Sequence, residues 1–203
     1  MFQVRIHGRG GQGVVTAAEL LSVAAFLDGR HAQAFPSFGS ERTGAPVEAY
    51  CRISPRPIRL REPVRRPDAV ILQDPSLRKH LDVFAGLAPG GYVLINSQRD
   101  WRGLDLDAFA DRLTPDRTVI VPATQLALVH TGRPLPNAAL LGGFAALTGL
   151  ISLSAVVVAI RRRFPDPVAE GNVAAARAAY RQVQASLSVG TGLAVDGRER
   201  AHA

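Results

Sequence analysis

Residues 2–7 place Val4 and Ile6 on one face, which predicts a strand. Residues 14–27 then carry Val14, Ala17, Leu21, Ala24 and Ala25 at spacings of three and four, which predicts a helix. Three continuous runs follow, Ala69-Val70-Ile71-Leu72, Tyr92-Val93-Leu94-Ile95 and Thr118-Val119-Ile120-Val121. Apolar, largely β-branched runs without polar alternation fit strands buried on both faces, as in a parallel sheet. Helical patterns over residues 76–87 and 106–113 supply the crossovers between them. Residues 47–53 differ, because Val47, Ala49, Cys51 and Ile53 alternate with Glu48, Tyr50 and Arg52. That period of two predicts an antiparallel or edge strand with one wet face.

The last third is helical in pattern. Residues 138–160 contain no charged side chain and are followed by Arg161-Arg162-Arg163, long enough and flanked well enough to raise a membrane span. Gly142, Gly143, Gly149, Ser152 and Ser154 interrupt the stretch, so it reads better as two buried helices. Asn137 is the expected N-cap of the first and Ser154 of the second. Val173, Ala176, Tyr180, Val183 and Leu187 then recur on one stripe of a final helix. The expected fold is therefore α/β: a doubly wound, mostly parallel sheet with one antiparallel or edge strand and a helical C-terminal third. One domain is expected over residues 1–187, with residues 188–203 as a disordered polar tail.

Composition narrows the function. The formal charge is +7 and Lys79 is the sole lysine, so the excess is arginine. Arginine suits an acidic partner or a phosphate-bearing ligand, and it also accumulates by compositional drift. The arginines are scattered and no nucleic-acid module is recognisable, so no nucleic-acid partner is expected. Cys51 is the single cysteine, too few for an iron–sulfur or structural zinc site, and no metal site is expected. Strand pattern begins at once without a signal peptide, and the chain is expected to be cytoplasmic and free of membrane.

The most informative local feature is His7-Gly8-Arg9-Gly10-Gly11-Gln12-Gly13 between the first strand and the first helix. Gly8, Gly10 and Gly13 satisfy G-x-G-x-x-G in the context that pattern requires. Two roles fit. The glycines permit close strand–helix packing, or they bring backbone N–H groups to a phosphate at a helix N-terminus, with Arg9 as a suitable cation. A dinucleotide site also needs a carboxylate at the end of the second strand, and Arg30-His31-Ala32-Gln33-Ala34-Phe35-Pro36 has none. A second shaped loop, Pro36-Ser37-Phe38-Gly39-Ser40-Glu41-Arg42-Thr43-Gly44-Ala45-Pro46, lacks a nucleophile or second base, so Ser40, Glu41, Arg42, Thr43 and Gly44 are expected at an interface. Asp74, Asn96 and Thr124 close strands and should gather near the glycine loop, where His7 and His80 could join them. No Ser-His-Asp order, H-E-x-x-H or P-loop is present, and no catalytic residue is assigned. From the residues alone, a free-standing nucleotide-binding regulatory module is the alternative.

Gly8-Arg9-Gly10-Gly11-Gln12-Gly13, Pro36-Ser37-Phe38-Gly39-Ser40-Glu41-Arg42, Gly44-Ala45-Pro46-Val47, Arg52-Ile53-Ser54 and Pro67-Asp68 together resemble the γ subunit, or γ domain, of the pyruvate (2-oxoacid):ferredoxin oxidoreductases. Asn137 with Leu141-Gly142, and Glu170-Gly171-Asn172, continue the match, which covers residues 1–185. Where members of that family often have two arginines before glycine, this chain has Arg42-Thr43-Gly44. The resemblance implies a subunit without its own cofactor, in a complex with α, β and δ-type chains. Thiamine diphosphate with Mg and [4Fe-4S] clusters would lie on those other chains. Such complexes oxidatively decarboxylate a 2-oxoacid to acyl-CoA and pass electrons to ferredoxin or NAD. The loop type implies pyruvate or an aryl 2-oxoacid. A coenzyme A or phosphate contact is the candidate role for Gly8, Arg9, Gly10, Gly11, Gln12 and Gly13.

Overall fold

The computed structural model describes residues 1–37 and 43–199, with side chains described to residue 188. Six strands form one sheet: β1 (Phe2–Arg9), β2 (His31–Pro36), β3 (Pro46–Ser54), β4 (Ala69–Leu72), β5 (Tyr92–Asn96) and β6 (Thr118–Val121), in the order β2-β3-β1-β4-β5-β6. β1, β4, β5 and β6 pair in parallel, and β3 runs antiparallel to both of its neighbours. β3 is thus antiparallel and internal, and β2 takes the edge.

One face of the sheet carries the main core. Val4, Ile6, Ala49, Cys51, Ile71 and Leu94 pack there against α1 (Val14–Leu27), α4 (Asn137–Thr148), α5 (Leu153–Arg163) and α6 (Val168–Glu199). α3 (Ala123–Thr131) leads from β6 into this layer and lies against α6. α4 is the innermost helix, with Asn137 and nearly every following residue buried. The charge-free stretch is indeed two helices, divided at Gly149, whose φ of 60° suits a glycine C-cap. Among the described residues no helix is long and apolar enough to cross a membrane.

Two caps differ from expectation. Asn137 is the first helical residue of α4 behind Pro136, and its Oδ1 accepts from the Ala138 N–H. Ser152, not Ser154, caps α5, because its Oγ accepts from Ala155 and bonds Asp28 at 2.8 Å on the turn after α1. α6 begins before the expected stripe and continues past Leu187 to Glu199, into the segment expected as a tail, with residues 200–203 outside the described ones.

The second face departs further from the sequence pattern. Residues 76–87 and 106–113, expected as helical crossovers, fold as a 3₁₀ turn (Pro75–Lys79), a chain of turns and a single helical turn, α2 (Asp107–Ala110). Leu77, Val83, Leu104 and Leu106 still reach Leu72, Val93 and Ile95, and Phe84 stacks on Phe109 with centroids 4.2 Å apart. Gly86 marks the break: it sits at φ 71° against the Arg65 carbonyl, a left-handed backbone that a continuing helix could not adopt.

Nor is the polar face of β3 wet. Tyr50 and Arg52 are buried, Arg52 at 2% exposure, under residues 55–66. Arg52 donates to Gln3 Oε1 and to the carbonyls of Leu60 and Glu62, while Arg5 donates to those of Val64, Val83 and Ala85. Two guanidinium forks therefore fasten irregular coil over β1 and β3 where the other face uses helices.

His7 lies beside Arg5 with 2% exposure and no hydrogen-bond partner among the described residues. Burial pushes its pKa down to about 4 against the pull of Glu48, with Arg5 adding to the depression. The 3.4 Å approach of Nδ1 to Glu48 is accordingly a contact of a neutral ring at pH 7. Unfolded, the ring titrates near 6.5, so between that pH and about 4 the unfolded chain binds a proton that the folded chain refuses. The stability is whole above the upper value and is lost as pH falls through this window. Denaturant unfolding at pH 7 and 4.5 should show a larger loss for the native chain than for His7→Gln, and equal losses would mean the ring is not held neutral.

Gly142 carries the tightest helix contact, because a Cβ there would run into the Ala176 carbonyl of α6. Gly142→Ala is expected to cost about 1–3 kcal/mol through forced separation of α4 and α6. An unchanged thermal midpoint would show that the two helices can part freely.

Candidate functional site

The glycine loop joins the end of β1 to α1, and its glycines do different work. Gly8 has no room for a side chain, since a Cβ would lie 2.6 Å from Val14 Cγ2. Gly13 caps α1 at φ 74°, and a Cβ there would meet Asn137 Nδ2 at 2.6 Å. Gly11, at φ 92°, serves the turn and faces open space. Gly10 bridges to Thr43, donating to the Ala45 carbonyl at 2.9 Å and accepting from Gly44 at 3.1 Å. The two motif loops therefore touch. Of the expected interface residues, Thr43 and Gly44 lie exposed beside Gly10, while Ser40, Glu41 and Arg42 fall outside the described residues.

Arg9 is not a free cation. Its Nε donates to Asp74 at 2.9 Å, one terminal nitrogen to the Gly44 carbonyl at 3.0 Å and the other to Ser76 Oγ at 2.8 Å. Gln12 completes the knot, accepting from the Arg9 N–H at 2.8 Å and donating to Asp74 at 3.2 Å. Burial opposes ionisation of Asp74, but the Ser76 hydroxyl and N–H, Gln12 and Arg9 together outweigh it and hold the carboxyl below its ordinary value. The strand order reverses between β1 and β4, and this is the crevice where doubly wound sheets receive nucleotides. Here the chain's own Arg9–Asp74 ion pair stands in it.

The other strand-end residues play supporting parts. Asn96 donates to Thr124 Oγ1 and accepts from the Thr124 N–H, so it secures the start of α3. It also donates to the Gln73 carbonyl at 2.7 Å. His7 is buried on the second face, and His80 stands exposed at the end of the 3₁₀ turn, away from the loop. Among the described residues no three potential metal ligands come together.

On its other side the N-terminus of α1 opens into a cavity of about 410 Å³. Gly11, Gly13 and Thr16 form one wall, His130, Arg133 and Asn137 supply polar groups, and Leu135, Phe164, Pro167 and Val168 supply apolar ones. Gly171 and Asn172 complete it, so three separate stretches of motif meet here: the glycine loop, Asn137 and Gly171-Asn172. A shallower recess of about 400 Å³, lined by Arg9, Gly10, Thr43 and Val47 among others, lies on the side of the second loop. Thr16, His130 and Arg133 had no local signal in the sequence. Thr16 follows the loop on α1, while His130 and Arg133 reach the cavity because α3 ends beside the start of α6, where Gly171 presses on the His130 carbonyl.

With this geometry in view, comparison with known proteins is informative. The family model for pyruvate ferredoxin/flavodoxin oxidoreductase matches residues 3–182. Pyruvate synthase subunit PorC of Methanothermobacter thermautotrophicus is 44% identical over 91% of this chain and 97% of its own length. The common γ subunit of the pyruvate/ketoisovalerate oxidoreductases of Pyrococcus abyssi is 43% identical over 91% of this chain and 98% of its own. Among solved structures, pyruvate oxidoreductase subunit PORC of Thermotoga maritima superposes with a TM-score of 0.74 at 34% identity, covering 89% of this chain and 95% of that one. A match of this extent, running from the glycine loop to the middle of α6, means that the chain belongs to the pyruvate ferredoxin/flavodoxin oxidoreductase family, in the position of its γ subunit.

Proposed function

We propose that this chain works as the γ subunit of a multi-subunit enzyme that oxidatively decarboxylates pyruvate, or an aryl 2-oxoacid, to the acyl-CoA. Its partners are α, β and δ-type chains that hold thiamine diphosphate with Mg and the [4Fe-4S] clusters, with ferredoxin or NAD as final acceptor. The chain's own share is structural support and a coenzyme A contact at Gly8–Gly13. The observation that carries this reading is the convergence of three motif stretches on one cavity at a helix N-terminus. Thr43 and Gly44, exposed next to Gly10, belong to the partner-facing loop in this reading. Pyruvate stands first because the relatives' enzymes are named for it.

Tagged chain purified from its native cells should bring down thiamine- and iron-bearing chains and turn over pyruvate with coenzyme A. The chain expressed alone should show no turnover. A monomer that binds a nucleotide tightly and recruits nothing would instead favour a free-standing module. Gly13→Val adds a β-branched side chain at positive φ and against Asn137. The assembled enzyme carrying it should lose at least about tenfold in kcat/KM for coenzyme A, equivalent to ~1.4 kcal/mol. An unaltered value would remove the loop from the site.

A further inference from the structure

The strap of coil that crosses the second face between β3 and β4 carries charge that the fold does not use. Residues 55–66 hold Arg56, Arg59, Arg61, Arg65 and Arg66 against the single carboxylate of Glu62, a net charge of +4 out of +7 for the whole chain. All five arginines are exposed, and none forms an ion pair or donates a side-chain hydrogen bond among the described residues. Elsewhere Arg9 pairs with Asp74, Arg78 with Asp105 and Arg161 with Glu170. Like charges crowded on one short segment repel one another, so the strap is a surface short of counter-charge.

Two further positive charges lie beneath it. Arg5 and Arg52 are buried, and both donate to neutral acceptors, backbone carbonyls and Gln3 Oε1, with no ion pair to either among the described residues. A buried charge without a counter-ion is poorly screened, and its field adds to that of the arginines above. The strap is also held in one shape. Pro55, Pro57 and Pro63 fix backbone torsions, Val64 is buried, and the carbonyls of Leu60, Glu62 and Val64 accept from the two buried forks. The exposed arginines therefore project from a fixed backbone, which lowers the ordering cost of binding.

We infer that residues 55–66 are a docking surface for a protein chain of the same assembly that presents a strip of carboxylates, with Arg56, Arg59 and Arg61 as the central contacts. The planar guanidinium fork matches a carboxylate on both of its oxygens, and arginine is enriched where protein surfaces meet. Leu60, 47% exposed between Arg59 and Arg61, and the half-buried Ile58 give the patch a small apolar centre. The strap contains no aromatic residue on which a base could stack, which favours a protein over single-stranded nucleic acid. This inference rests on the subunit reading and adds a second partner contact to it. β3 runs from Pro46, beside the loop that holds Thr43 and Gly44, to Ser54, where the strap begins, so the two surfaces stand at opposite ends of one strand.

The test uses the complex purified from cells in which tagged variants replace the native chain, with the apparent Kd of this chain in the complex read by dilution at low and high salt. Arg56→Glu, Arg59→Glu and Arg61→Glu combined should weaken association at least about tenfold at low salt, because like charges then face each other. The difference should shrink at high salt, where exposed charges are screened. The thermal midpoint of the full chain should not fall, since these side chains make no bond within it. Lysine at the same three positions keeps the charge and should recover most of the affinity. Glutamate at Arg162, Arg177 and Arg181, exposed on α5 and α6, changes the net charge equally and should leave association unaltered. Equal weakening by the two glutamate sets, or a complex that holds the first set as tightly as the native chain, overturns the docking surface and leaves the subunit reading in place. So does a single-stranded RNA oligomer that binds the native chain and is lost by the first set while the complex stays whole. A native chain that brings down no other chain overturns the subunit reading, and this inference with it.

Discussion

The layers of this chain are arranged around a helix, α4, that carries no charge and buries nearly every residue. α4 lies between the sheet and α6, and its two central glycines set how closely those layers approach. Gly142 lets α6 come down until the Ala176 carbonyl meets the α4 backbone. Gly143 brings Val183 of α6, Leu94 of β5 and Val121 of β6 to 3.5–3.6 Å from where its Cβ would stand. A Cβ at Gly142 would push the outer helix away from the core, whereas one at Gly143 would meet its neighbours at ordinary contact distance. The position of α4 in turn fixes Asn137, its first residue, and Asn137 packs on Gly13 at the cap of α1. Core packing and loop geometry are therefore one constraint, transmitted through a single helix from the α6 contact to the glycine loop.

The same arrangement explains why the site lies where it does. In a doubly wound sheet the crevice at the strand-order reversal is the natural place for a ligand. Here Arg9, Asp74, Gln12 and Ser76 occupy it as a hydrogen-bonded knot that also reaches Gly44 of the second loop. The knot fastens three segments distant in sequence, and the loop is left with a cavity on the side of α3 and α6 and a shallower recess on the side of the second loop. A fold associated with nucleotide binding thus keeps its glycine signature while side chains of its own occupy the strand-end crevice.

How far the sequence revealed this differs by layer. β4, β5 and β6 were legible because strands buried on both faces need unbroken apolar runs, and β1 with α1 because the period changes sharply at the glycines. The second face was not legible. Leu77, Leu81 and Phe84 recur at helical spacing, yet the segment up to Gly86, at positive φ, folds as turns in which Leu77 and Phe84 still reach the sheet. Alternation in β3 suggested a wet face, because periodicity reports polarity and cannot foresee a coil layer clamped over arginine. In the site, Gly11, Gly13, Asn137, Gly171 and Asn172 stood out as motif residues. Their meeting in one cavity with His130 and Arg133 depends on the α3–α6 contact, which no local pattern encodes.

The arginine surplus shows why net charge alone misleads about ligands. A charge of +7 suggests a surface tuned to anions. Yet Arg5 and Arg52 spend their donors on backbone carbonyls beneath a coil, and Arg9 spends its own on Asp74, Gly44 and Ser76. Arg161 is chelated by both oxygens of Glu170 on the surface. Each of these is a rigid fork doing structural work that lysine could not do, which is a sufficient reason for their presence. Arg133 differs from these, because its guanidinium has no such partner among the described residues and it lines a cavity that no carboxylate lines. Recognition of an anion is legible in the donors left unspent once the fold has taken what it needs.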